Sequence, residues 1–417
     1  MCRLYPSEAR LNNILNDAIN NVEYFRTRVH RSETMTTTDL LNQFPILTKE
    51  EVKKHKDHLF SDRAKEKIKG VDLFSMNEFL IPESTSGSSG FPIIIYKSKL
   101  ERFQLAIDLW AKRRLIDERV NQENMFCLIH LPHNQKKIIK DTRNLHPDAI
   151  QQVLNYLIEN KPLLLHSTPS DLVKYAGYIL DNNIDLKDWK PAFIESNSEV
   201  LTESDKELIT TAFQSKVVNA YGSREVWSIA YECTEGLLHL SDNVHVEIAS
   251  LDSDEILETD SDKYGEVVVT SLILREYPFI RYRMGDLAKL KTSNCSCGSK
   301  SQVIELHDAR KINLIHQVES SNKIANGVSL FKGVLWDMLS KGYSGISRYK
   351  VIQSEPKLFE VYLVLEGELD QNFITNFSEF SKRRLEQDDV TILIKKVDND
   401  HEIFNGKSYS FISKIKI

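Results

Sequence analysis

Seven consecutive residues, Ser84, Thr85, Ser86, Gly87, Ser88, Ser89 and Gly90, place five hydroxyls and two glycines ahead of Phe91 and Pro92. Glycine lets a backbone approach a ligand closely, and Ser and Thr hydroxyls add donors to the amides, so such a loop can wrap phosphate oxygens without a fixed cation. Gly/Ser richness also marks flexible linkers, and this stretch alone leaves both readings open. It is not a Walker A loop. Ile93 to Ile95 stand where a lysine would have to follow, and Gly406-Lys407-Ser408 lacks its leading glycine because position 401 is His.

A second chemical grouping involves sulfur. Cys233 and His239 flank the turn CTEGLLH, and Cys295 and Cys297 form a C-x-C turn some sixty residues later, giving three thiolates and one imidazole. That set suits a closed, structural tetrahedral zinc, although His239 alone reads equally as a core histidine. Cys2 and Cys127 have no such neighbours, and Cys127 in an apolar run reads as core. Arg281 and Arg283 lie two apart in an expected strand and so share a face, where they could bind phosphate or pair with acids. Gly285-Asp286 reads as a turn or as an exposed acceptor, and Glu225 as a solvated helix-start carboxylate or a ligand.

The elements that must position these groups alternate along the chain. Apolar runs at 125–131, 162–166, 191–195 and 216–220 are separated by helical patterns at 99–119, 147–160, 169–181 and 203–214, which implies crossovers and a largely parallel sheet. Thr168 stands three residues before Asp171 and Thr202 three before Asp205, so each hydroxyl can accept a free first-turn amide. After residue 237 the texture changes to short β-branched runs such as 243–249 and 265–273, which read as added antiparallel sheet or a small barrel. Beyond about 314, helix 328–340, strands 349–354 and 359–365, helix 371–385 and strand 390–397 suggest a separate small α+β unit.

Composition narrows the partners. Basic residues number 54 against 60 acidic ones, a net charge of -6, so no basic surplus is available to neutralise a nucleic-acid backbone. No apolar run approaches a membrane span, and the start MCRLYPSEARLNN lacks the apolar core of a signal peptide, so the expected location is cytoplasmic.

Taken in order, STSGSSGFP, Tyr221-Gly222-Ser223-Arg224-Glu225, Arg281-Tyr282-Arg283-Met284-Gly285-Asp286 and Gly406-Lys407 resemble the motifs of the adenylate-forming superfamily, and within it the phenylacetate-CoA ligase group and its capsule-biosynthesis relatives. LNQFPILTKEEV at 41–52 and CSCG at 295–298 are similar to further segments of that group. The resemblance implies an α/β large unit at 1–309 with mixed, largely parallel sheets, a hinge at 310–313 and a mobile α+β unit at 314–417. It further implies activation of a carboxylic acid by ATP, then acyl transfer to CoA, a carrier-protein thiol or an amine. Ser84 to Gly90 would cradle phosphates, Glu225 would bind Mg2+, Tyr221 and Gly222 would line the adenine site, Asp286 would take the ribose hydroxyls with Arg310 assisting, and Lys407 would approach the α-phosphate. Phe126, His130, His133 and Glu199 are candidates for the acid pocket, with the histidines more readily read as strand-end residues. Three positions depart from the pattern: Arg224 replaces a usual Thr, Ala309 a hinge glycine and Asn313 an aspartate. They leave open a degenerate, nucleotide-binding scaffold.

Overall fold

The computed structural model describes residues 7–70, 79–85, 93–128, 147–316, 325–343, 345–398, 401, 403 and 410–415. Strands β1 (Leu80–Ser84) and β2 (Ile94–Ser98) pair as an antiparallel hairpin that brackets the Gly/Ser stretch. Ser98 then caps the long helix Lys99–Ile116 through a reciprocal box with Glu101.

The main sheet has ten strands. In chain order these are β3 (Met125–Cys127), β4 (Leu164–Ser167), β5 (Phe193–Asn197), β6 (Val217–Ser223), β7 (Trp227–Glu232), β8 (Leu238–Leu240), β9 (Val244–Ala249), β10 (Gly265–Ser271), β11 (Tyr282–Lys291) and β12 (Val303–Arg310). In space they run β3-β4-β5-β6-β7-β8-β12-β11-β10-β9. The first four are parallel and the rest antiparallel. The α/β class holds, and the portion after residue 237 proves to be a continuation of the same open sheet, since β8 pairs with both β7 and β12.

Helices Pro147–Asn160, Pro169–Asp181 and Glu203–Phe213 pack on one face of the parallel strands, with Thr168 and Thr202 accepting the amides of Asp171 and Asp205 as expected. Leu165, Ile194 and Val217 point into that layer. Alternation sends Leu164, Phe193 and Val218 to the other face, against Leu109 and Trp110 of the long helix. Both faces are therefore covered, which is why these strands read as near-continuous apolar runs.

Beyond residue 314, strands β13 (Ile346–Glu355), β14 (Leu358–Leu365), β15 (Thr391–Lys396) and β16 (Phe411–Ser413) form a four-stranded sheet in the order β15-β14-β13-β16. Helices Gly327–Ser340 and Gln371–Leu385 cover it, and the resulting core, including Phe331, Phe359, Phe377 and Phe411, draws only on residues from Ile315 onward. Among the described residues, no helix is long and apolar enough to cross a membrane.

Candidate functional site

A cavity of about 960 Å³ opens beyond the carboxyl ends of β4, β5 and β6, where the parallel strands meet the antiparallel ones. Thr85, Glu199, Tyr221, Gly222, Glu225 and Arg310 all line it. Asp286 lies just behind them. The Tyr221 hydroxyl donates to Asp286 Oδ2 at 3.0 Å, and Arg310 Nε stands 2.6 Å from Asp286 Oδ1. Burial, then the Asp286 charge, pushes the Tyr221 phenol well above its ordinary range, so it remains a donor. A carboxylate offers about four acceptor sites, and these two contacts fall one on each oxygen.

Backbone geometry fixes these side chains. Gly222 sits at a register shift between β6 and β7, where an added Cβ would lie 2.1 Å from the carbonyl oxygen of Trp227. Gly285 adopts φ +79°, and the strand register shifts again between Asp286 and Ala288, which turns Asp286 toward Arg310. Glu225 is buried, and the Tyr282 hydroxyl donates to its Oε1 at 3.1 Å.

Sequence reasoning missed the residue that locks the turn carrying Glu225. Lys97 is fully buried; its Nζ donates to Glu83 Oε2 at 2.9 Å and to the Arg224 carbonyl at 2.6 Å, while the Trp227 indole donates to the same Glu83 oxygen at 3.3 Å. The β1–β2 hairpin is thereby tied to the Tyr221–Glu225 segment. Burial pulls the Lys97 pKa down and Glu83 opposes the fall. Thr48, Lys49 and Glu50 also reach the cavity, because Leu47 bridges to β11 through Arg281 and Arg283 backbone groups.

The other wall comes from the long-helix face of the parallel strands. His166, Glu195 and Asn197 continue the rows begun by Leu164 and Phe193 and reach the cavity beside Leu109 and Arg113. Arg113 donates from Nε and Nη2 to the two Glu195 oxygens at 2.8 and 2.6 Å. Tyr231 donates to Glu195 Oε2 at 2.7 Å, and His166 Nδ1 stands 2.7 Å from Oε1. Burial alone would raise the Glu195 pKa, but the Arg113 charge and fork overcome it and hold the carboxyl below its usual range. An ionisable residue inside a doubly covered strand was the available signal, since such a group requires a buried partner.

Cys233, His239, Cys295 and Cys297 converge, with their ligand atoms within 4.8 Å of one another. Cys233 Sγ and Cys295 Sγ are 3.8 Å apart, and Cys297 Sγ is 3.4 Å from His239 Nε2. These edges fit tetrahedral bonds of about 2.3 Å to sulfur and about 2.0 Å to nitrogen. His239 Nδ1 faces the Ser301 carbonyl at 3.0 Å, which leaves Nε2 as the ligand nitrogen.

Other expected residues fall elsewhere. Phe126 is buried among the helices on the opposite face, packed at a tilt against Tyr156, and does not line the cavity, because its strand parity is that of Leu165. Arg281 precedes β11 with φ +49°, so it does not share a strand face with Arg283. Both pair with acids, Arg281 with Glu247 at 3.1 Å and Arg283 with Asp254 at 2.9 Å and Glu266 at 3.4 Å. Glu199 accepts the Ser170 amide at 3.1 Å. Asn313 donates to the Phe411 carbonyl at 2.7 Å, a bond an ionised aspartate could not make. Ser84 closes β1, whereas Ser86, Gly87, Ser88, Ser89, Gly90, His130, His133 and Lys407 lie outside the described residues.

No family model matches the chain. It is 26% identical over 265 residues to Protein CapK of Staphylococcus aureus, covering 60% of this chain and 54% of that protein. It is 25% identical over 215 residues to phenylacetate-coenzyme A ligase of Pseudomonas putida, covering 50% and 44%. The chain thus spans about half the length of the curated relatives it matches. Among solved structures, 2-hydroxyisobutyryl-CoA ligase in the postadenylation state, in complex with R3-HIB-AMP, matches with a TM-score of 0.63 at 14% identity, covering 98% of this chain and 88% of that one.

Proposed function

We propose that this chain, a member of the adenylate-forming superfamily by its relatives and its fold, activates a carboxylic acid with ATP. One carboxylate oxygen attacks the α-phosphorus, the bond to the bridging oxygen breaks, and pyrophosphate leaves with its electron pair. A thiol, by default that of CoA, then loses its proton and attacks the acyl carbon, releasing AMP. The observation that carries this reading is Asp286, held between Tyr221 and Arg310 at the edge of the cavity that Glu225 lines.

In this reading the spare acceptor sites of Asp286 take the ribose hydroxyls, and the Tyr221 ring lies against the base. Glu225 would hold a Mg2+ that is otherwise held by substrate phosphates, and the ion would supply charge neutralisation there. Thr85 and the Ser/Gly stretch cradle the outer phosphates. Residues 314–417 act as a unit that turns about 310–313 and brings Lys407 to the α-phosphate. The Cys233–His239–Cys295–Cys297 cluster holds a structural zinc pinning the β7–β8 turn to the β11–β12 loop; about one zinc per chain by elemental analysis would support this, and unchanged thermal stability after chelation would count against it.

The test is pyrophosphate release across a panel of carboxylic acids with ATP and Mg2+, with CoA or hydroxylamine as acceptor. Release that requires one acid and quickens with CoA is expected. ATP binding without release for any acid would favour a nucleotide-binding scaffold instead.

A further inference from the structure

Two groups lining the cavity, one on the long helix and one on β7 opposite Gly222, have unused hydrogen-bonding capacity. Arg113 is only 5% exposed, yet its pairing with Glu195 uses Nε and Nη2 and leaves Nη1 outside the fork. Ser228 lines the same cavity, and its buried Oγ has no hydrogen-bond partner among the described residues. A buried hydroxyl left unmet, as at Ser228, is costly, and a ligand atom is one way to meet it.

Charge decides what kind of atom that is. Arg113 and Glu195 balance each other, so this wall presents directed dipoles with no net charge from the pair. His166 does not alter the arrangement of acceptors: its Nδ1 faces Glu195 and its Nε2 stands 3.3 Å from Asn197 Nδ2. A second carboxylate on the substrate would meet Glu195 beside its arginine, and an ammonium would meet the guanidinium. An apolar chain would bury Arg113 Nη1 and Ser228 Oγ against carbon. A neutral oxygen substituent can accept from either group.

We propose that the acid activated here carries a hydroxyl or keto oxygen, read by Arg113 and Ser228, with Glu195, His166 and Tyr231 positioning the guanidinium. This rests on the acid-activating reading above. A site built to hydrogen-bond a substrate oxygen discriminates strongly against the analogue lacking it, whereas an apolar pocket tolerates an added hydroxyl with little change.

The experiment compares matched acids: butyrate with 2-, 3- and 4-hydroxybutyrate, and phenylacetate with mandelate and 4-hydroxyphenylacetate. Acid-dependent ATP–pyrophosphate exchange gives kcat/KM, and calorimetry without ATP gives binding. One hydroxylated member should exceed its parent by about 100-fold or more in the wild type. Ser228→Ala should cut that ratio by about tenfold, and the double variant R113M/E195M, which leaves no buried charge unpaired, should collapse it. A purely structural network would change stability but leave the ratio intact, which would overturn the proposal, as would preference for the parent acids. If no acid supports exchange, the activation reading fails and calorimetry decides this one. Selective binding of a hydroxylated acid, weakened by S228A, supports it; equal binding of both members, or none, refutes it.

Discussion

At one end of the cavity Asp286 holds a tyrosine and an arginine on its two oxygens, and at the other Glu195 does the same. The two clusters differ in what surrounds them. Asp286 takes Arg310 from the last residue of β12, immediately before the short turn Lys311–Asn313, and the Arg310 side chain is one-third exposed. Glu195 takes Arg113 from a helix packed on the sheet, and both are buried. A partly exposed partner can be exchanged for a ligand, whereas a buried partner fixes geometry. Similar residue types thus form a partly solvated cluster at Asp286 and a sealed one at Glu195, and on the proposed reading only the first takes a ligand.

Removing each arginine should separate these roles most sharply. Arg113→Met leaves Glu195 charged and buried, which should cost about 3–5 kcal/mol in urea unfolding, while R113M/E195M should regain most of that loss. Arg310→Met should change stability by no more than about 1 kcal/mol, because the pair is partly solvated. On the activation reading it should nevertheless slow pyrophosphate release by about 10²-fold. Equal destabilisation by the two single variants would erase the distinction.

The glycines beside each motif sharpen it further. Gly222→Ala drives a methyl into the Trp227 carbonyl, so β6 and β7 must part, at a cost of about 2–3 kcal/mol. Gly285→Ala meets open space and carries only the left-handed backbone penalty of about 1–2 kcal/mol. Denaturant midpoints would rank the two, and the reverse order would show that the register shift at Gly222 is soft.

The smallest effect is on pH dependence. The folded Glu195 pKa is depressed, so its stabilising contribution is complete above the unfolded glutamate value of about 4.3 and is withdrawn as pH falls below it. Acid unfolding of R113M/E195M should therefore be shallower below about pH 4 than that of the wild type. Parallel acid limbs would mean that Glu195 gains nothing from its partners.

The same contrast explains what the sequence disclosed. Helix positions followed from Thr168, Thr202 and the apolar period, because caps and periodicity are local. The Tyr221 and Asp286 segments were legible through the resemblance, and the glycines in those motifs answer to backbone demands at Gly222 and Gly285. Arg113 was not, since it stands between Lys112 and Arg114 in a charged helix and only the crossover topology brings it to Glu195. That Phe126 faces away from the cavity was not legible, because a three-residue strand offers no reliable parity. Nothing local in the sequence sets Lys97 apart, and only the hairpin register buries it.

Mass spectrometry of the small molecules released from the protein after incubation with ATP, Mg2+ and the matched acid panel, without a thiol, tests the central claim most directly. The account predicts an acyl-AMP whose mass carries a hydroxylated or keto acid, together with pyrophosphate. ATP recovered intact with every acid, or ADP and phosphate in place of acyl-AMP, would contradict it.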